Sequence, residues 1–294
     1  MSENNLSTNP GHLPRATWRV IRSEPGRGSW NMAVDEAILQ AIGRGEVPPT
    51  LRLYAWQPAC LSLGYAQPYG DVDLTSLRQR GWDLVRRPTG GRAILHIDEL
   101  TYSVTGPQNE PRLAGSVLES YRTLSQALLQ ALHLLGIPAQ AVEKPLALNA
   151  NLANGSEDSA GINPVCFEVP SNYEITIHAK KLVGSAQARR KQGVLQHGSL
   201  PLYGDLTRIT QALVFPDAAS RALAAERLLA RAITAEAVLG QPLAWETAAD
   251  AFEKAFGLTL NLDLQPGELT PREQAEAAEL QESKYAHSQW TERV

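Results

Sequence analysis

Cysteine is scarce in this 294-residue chain, which holds only Cys60 and Cys166. Two thiols so far apart cannot form a disulfide framework, and a cytosolic address is expected. Zinc spacing is missing too. The six histidines contain no H-x-x-x-H pair, and there is no C-x-x-C, so sites built on those spacings are excluded. Positive charge is not in excess: the formal net charge is -4, which argues against a general nucleic-acid binder. No apolar run approaches the ~20 residues needed to span a bilayer. The polar opening M-S-E-N-N-L-S-T-N-P-G-H-L-P lacks the apolar core of a secretory signal. Residues 1–15 read as a disordered leader. Neither an internal repeat nor a long linker breaks the chain. What remains is an ordinary globular composition, 43% hydrophobic and 20% charged.

Hydrophobic periodicity places the elements. T-W-R-V-I-R (17–22) reads as a strand, and the run from Ser29 to Gly43 as a helix with Ser29 as its cap and Gly43 as its stop. Strand patterns recur at 50–56 and 59–64, a short helix at 72–80, and three short strands between 83 and 104. Ser116 and Glu119 form a capping box, opening a helix that Gly136 closes, with Val117, Tyr121, Leu124, Leu128 and Leu132 on its apolar face. Residues 148–164 are rich in turn formers and read as a mobile loop. Strands at Y-E-I-T-I-H, K-L-V-G-S-A-Q-A-R and V-L-Q-H-G-S-L-P-L-Y follow. Helices are expected over 216–240, from Trp245 with Phe252 and Phe256 inward, and from Thr270. Several strands succeed one another across turn-length links, so the fold class is α+β, with a mixed, largely antiparallel sheet flanked by helices. The expected division is a main domain over 16–240 and a C-terminal helical extension, 241–294, packed on it.

Three segments bear chemistry. In R-R-P-T-G-G-R (86–92), Gly90 and Gly91 let backbone N–H groups face a ligand, ringed by Arg86, Arg87 and Arg92. The same residues also fit a plain glycine turn with solvated arginines. In the strand from Lys181, Gly184, Ser185 and Ala186 are all small, which admits a ligand or another backbone. Lys181 could set an ammonium over a carbonyl oxygen, or be a surface lysine. His197 and Gly198 form either a second polar edge of one cavity or a bulge with a satisfied core histidine. Cys166 follows the polar loop and precedes a strand, so it is either a buried hydrophobe or an accessible nucleophile. Cys60, inside apolar A-C-L-S-L-G, fits an inert thiol.

Together these segments resemble the biotin/lipoate protein ligase and transferase superfamily. Residues 86–96 look like its R-R-x-T-G-G-x-A-V-x-H segment, 181–187 like K-x-x-G-S-A-Q, and 196–199 like its downstream H-G-S/T. Asn31 to Glu36, Leu53 to Trp56 and Ser62 to Tyr65 resemble its opening elements, and 268–290 its end. The resemblance implies the biotin/lipoate ligase-like catalytic fold. C-F-E-V-P-S-N-Y-E-I-T-I and H-I-D-E-L-T-Y-S are most similar to the LipM-type octanoyltransferases. In that group the cysteine of this segment is the nucleophile, which implies that role for Cys166. ATP-dependent ligases tend to carry T-G-G-G and H-x-x-G-N here, where Arg92 and Glu99-Leu100 stand.

The resemblance therefore implies octanoyl transfer from acyl carrier protein, through acyl-Cys166, to a lysine of a lipoyl domain such as the glycine-cleavage H protein. Lys181 would lower the thiol pKa and bind the thioester carbonyl. The substrate would meet Arg86, Arg87, Thr89, Gly90, Gly91 and His96 on one side, and Gly184, Ser185, Ala186, His197 and Gly198 on the other. No cofactor is required; ATP and Mg²⁺ enter only if the chain is a lipoate-protein ligase. An amidotransferase taking octanoyl from a lipoyl domain shares the cysteine, and a noncatalytic carrier-domain binder would form no acyl-enzyme. Neither nucleic acid nor membrane is expected as a partner. His96, His178 and His197 stand as candidates for deprotonating the acceptor lysine, and the sequence does not choose among them.

Overall fold

A computed structural model of the chain describes residues 13–143 and 173–294. Its frame is an eight-stranded sheet, in the order β11-β1-β2-β6-β10-β9-β8-β7. The strands are β1 (Ala16–Arg22), β2 (Thr50–Tyr54), β6 (Glu99–Gly106), β7 (Gln140–Glu143), β8 (Tyr173–Ile177), β9 (Lys180–Arg190), β10 (Gly193–Pro201) and β11 (Leu262–Pro266). Two of its pairings, β1 with β11 and with β2, are parallel. The other five are antiparallel, giving the mixed, largely antiparallel sheet expected. A three-stranded sheet, β4-β3-β5, stands apart, made of β3 (Cys60–Leu63), β4 (Asp83–Arg86) and β5 (Ile94–His96).

β1 shows why the large sheet is buried on both faces. Alternate side chains leave a strand on opposite sides. Trp18 and Val20 join the core under α3 (Val117–Leu134) and α6 (Trp245–Thr259), while Ile21 joins a second core under α1 (Gly28–Gly43). A third core holds the small sheet with α2 (Leu74–Arg80) and α4 (Ala218–Arg231). The helical run expected over 216–240 is divided: α5 (Ala235–Leu239) starts afresh, with Thr234 as its cap.

Two local expectations change. Ser29 does not cap α1. The helix begins at Gly28, with Arg27, two residues before Ser29, in the cap position and no side-chain bond, and Gly43 is its last residue rather than its stop, with Arg44 as the C-cap; the Ser29 hydroxyl accepts from Gln281 Nε2. α3 has both halves of its capping box, but Val117 is 47% exposed. Its buried face runs through Ser120, Leu124, Leu128 and Leu132, with Tyr121 half-buried beside it. Phe252 and Phe256 of α6 are fully buried against Tyr102, and Trp245 is half-buried.

The C-terminal residues are not wholly helical. β11 extends the main sheet beside β1. α7 (Pro271–Leu280), opened by a Thr270–Glu273 capping box, lies on α1, followed by one π-helical turn and α8 (Ser288–Thr291). Of the expected leader, residues 1–12 lie outside the described residues. The Leu13 and Pro14 carbonyls are held, accepting from Asn261 and Arg112. No helix among the described residues is long and apolar enough to cross a membrane.

Candidate active site

The two sheets share one cavity of ≈ 890 Å³. Its walls come from β9 and β10 of the large sheet, β3 and β5 of the small one, and the turn over 87–92 between them. Arg87, Gly90, Gly91, His96, Lys181, Gly184, Ser185, Ala186, His197 and Gly198 all line it. Those expected site residues, far apart in sequence, are brought to one place.

The glycines differ in what they do. A Cβ on Gly90 would meet nothing within 4 Å, so its bare backbone faces open space. At Gly64 a Cβ would lie 1.8 Å from the Gly91 carbonyl oxygen, so glycine is dictated there by one turn packing on another. Gly91 itself has φ +94, a conformation that glycine supplies without strain. A Cβ on Gly198 would fall 2.4 Å from Gly184 O and 2.7 Å from Tyr102 Cε1. Close packing within the protein, rather than a ligand, excludes a side chain there.

Arg86 and Arg87 part company. Arg87 lines the cavity and ties the turn shut, donating to the carbonyls of Gly90, Arg92 and Ser62. Arg86 is fully buried away from it. Its guanidinium donates to the carbonyls of Gly64, Gln67 and Thr291. Adjacent residues leave an extended chain on opposite sides, so only one of the pair can face the cavity.

Each histidine of the cavity has both ring nitrogens engaged. His96 Nδ1 is 2.7 Å from Glu99 Oε1, and its Nε2 is 2.7 Å from Ser62 Oγ. The ring stacks on Trp56 with centroids 3.9 Å apart, and Trp56 Nε1 donates to Thr101 Oγ1, which donates to Glu99. His197 Nε2 is 2.7 Å from Thr89 Oγ1, and Nδ1 is 3.6 Å from Asp35 Oδ2. Thr89 is buried behind the glycine turn and meets the site through that bond. His178 is exposed on the turn between β8 and β9, outside the cavity lining.

Asp35 anchors this side of the site. It accepts from Arg52 Nη1 and Ser103 Oγ, each at 2.9 Å, and from Tyr54 OH at 3.0 Å. Burial opposes its ionisation, but Arg52 and His197 outweigh that and hold its carboxyl below the usual value. Burial pushes His197 below its ordinary 6.5, with Asp35 only partly restoring it. The imidazole is thus neutral at pH 7, and the Asp35 carboxylate favours the Nδ1–H tautomer, leaving Nε2 to accept from Thr89.

Lys181 is 6% exposed at the cavity, with Nζ 3.4 Å from Glu174 Oε1. Its carbonyl accepts from the Ile233 amide, which fixes the strand at that point. Cys166 and the 148–164 loop lie outside the described residues. Cys60 is fully buried in β3, and burial pushes its thiol well above the usual range, as an inert thiol requires. Among the described residues no group of three or more His, Cys, Asp or Glu could hold a metal.

Sequence reasoning singled out neither Asp35 nor Trp56 as a site residue. Asp35 carried a signal: a carboxylate within the apolar periodicity of α1, four residues after Asn31. A charge at such a position must find buried partners, and Arg52 also donates to Asn31 Oδ1.

The sequence profile described as the lipoyl protein ligase A/B catalytic domain matches residues 27–257. Octanoyltransferase LipM of Symbiobacterium thermophilum is 42% identical over 286 residues, covering 94% of this chain and 98% of that protein. Octanoyltransferase LipM of Staphylococcus aureus is 36% identical over 276 residues, covering 93% and 98%. Among solved structures, a bipartite lipoate protein ligase of Thermoplasma acidophilum superposes with a TM-score of 0.75 at 26% identity, covering 95% of this chain and 97% of that one. A lipoate-protein ligase A bound with ATP gives 0.74 at 24% identity, covering 94% and 99%, a likeness of fold alone.

Proposed function

Because the chain belongs to the lipoyl protein ligase A/B catalytic family, we propose that it is an octanoyltransferase of lipoate biosynthesis. It moves octanoyl from acyl carrier protein, through a Cys166 thioester, to a lysine of a lipoyl domain, the glycine-cleavage H protein being the expected acceptor. The observation that carries this reading is its 42% identity, over 94% of its length, to an octanoyltransferase. The buried Lys181 at a cavity shared by both sheets supports it.

The chemistry balances without ATP. The Cys166 thiol gives up its proton and attacks the donor's thioester carbonyl; a new thioester forms, the carrier's C–S bond breaks, and the carrier's thiolate takes up that proton. The neutral acceptor amine then attacks the acyl-enzyme thioester, an amide forms, the C–S bond to Cys166 breaks, and the proton the amine loses returns Cys166 to a thiol. One difficult transfer becomes two easier ones. A nearby ammonium lowers a thiol's pKa and raises the thiolate fraction. Lys181 fills that role and donates to the developing oxyanion, a contribution worth on the order of 10²–10³ in rate. His96, with both nitrogens engaged and its ring stacked on Trp56, holds the wall in place.

The test is octanoyl transfer to H protein from octanoyl-acyl carrier protein, without ATP. Wild type transfers. Lys181→Ala keeps its fold by thermal unfolding and loses on the order of 10²–10³ in kcat. Transfer that needs ATP and survives Cys166→Ala would overturn the reading in favour of a lipoate-protein ligase.

A further inference from the structure

The cavity has a cationic rim. Arg190, the last residue of β9, and Arg293, beyond α8, both lie against the ring of Tyr65, at 5.9 and 4.1 Å from its centroid. Arg293 also lies 5.0 Å from the Trp290 centroid. Tyr65, Arg190 and Arg92 all line the cavity. Arg190 and Arg293 are exposed, and Arg92 is half-buried.

Among the described residues none of these three guanidiniums pairs with a carboxylate, although the chain has 31 acidic residues against 27 basic. The nearby acids are committed elsewhere. Glu36 holds Lys284 at 2.6 Å, and Glu292 faces Tyr69. The neighbouring Arg189 turns inward to the Leu113 carbonyl and Ser120 hydroxyl. Arg190 in the cavity wall and Arg293 across the same Tyr65 ring, with no carboxylate partner among the described residues, suit an anion. The planar fork of arginine favours phosphate, which it can bind through paired hydrogen bonds.

We propose that Arg190 and Arg293, with Arg92, bind the phosphate of the phosphopantetheine arm that presents the octanoyl thioester to the cavity. This rests on the acyl-carrier donor proposed above. The arm places an anion at one end and the reacting thioester at the other. A charged phosphate stays at the wet rim while the acyl chain enters. The rim therefore sets which thioesters are taken up.

The experiment compares octanoyl-4′-phosphopantetheine with octanoyl-pantetheine as donors to the full-length protein, following acyl-enzyme formation by intact mass at subsaturating donor. The phosphorylated donor should acylate on the order of tenfold faster, and added salt should shrink that ratio. In Arg190→Gln/Arg293→Gln the ratio should fall toward one, and Arg190→Lys/Arg293→Lys should keep part of it. Equal rates in wild type, or a ratio that persists in the double glutamine variant, would overturn the rim as a phosphate site. Acylation by neither donor would overturn the acyl-cysteine reading and the inference with it.

Discussion

His197 is the residue where burial and charge oppose each other most directly. Its ring is held between Thr89 and Asp35, and burial depresses its basicity below the usual 6.5 despite the carboxylate. A depressed pKa means that the unfolded chain binds a proton before the folded one does, so stability rises with pH across that window. The contribution is complete above about 6.5 and is lost as pH falls toward the folded value. Urea unfolding followed from about pH 5 to 7 should therefore show stability climbing, and His197→Gln should flatten the climb. Identical slopes in the two proteins would mean that His197 titrates normally. At this scale the sequence showed which residue types meet but not which way they point. Lys181, Gly90 and Arg87 line the cavity as expected. Arg86 does not, because neighbours on an extended chain face opposite ways, which a run of two adjacent arginines does not reveal by itself. Asp35 was overlooked as a site residue because its partners, Arg52, Tyr54 and Ser103, are up to 68 residues away.

Among the elements, the turns after β3 and β4 form a unit. Gly64 and the Gly91 carbonyl touch so closely that a methyl group at 64 would sit 1.8 Å from that oxygen. Arg87 then laces the second turn back to β3 through Ser62. Gly64→Ala should cost about 1–3 kcal/mol by overpacking and should lower octanoyl transfer by displacing Gly90 and Gly91 from the cavity wall. Thermal unfolding and the transfer assay check the two effects separately; an unaltered midpoint would contradict the packing argument. The order of strands and helices was legible because periodicity is a local property. The positions of β7 and β11 were not. Each is short and carries polar residues, and β11 ends in Pro266 at a sheet edge. Its strand character comes from pairing with β1 more than 240 residues earlier.

At the scale of the molecule, the C-terminal segment closes the structure around the site. β11 completes the sheet, and α7 joins β1 through Glu273 and Arg19, a bidentate pair at 2.6 and 2.8 Å with both side chains nearly sealed from water. The Thr291 carbonyl accepts from Arg86, whose own carbonyl accepts from Trp290. Glu273→Ala would strand the buried Arg19 charge and should cost about 3–5 kcal/mol. Unfolding should remain a single transition, since the sheet runs through both parts. A separate early transition would show the C-terminal segment to be an independent lobe. The catalytic claim rests on Cys166, and the most direct measurement is the intact mass of the protein after mixing with octanoyl-acyl carrier protein, without ATP. An octanoyl adduct that hydroxylamine removes should form on the wild type and not on Cys166→Ala. No adduct, with lipoyl transfer that requires ATP and survives Cys166→Ala, would contradict that claim.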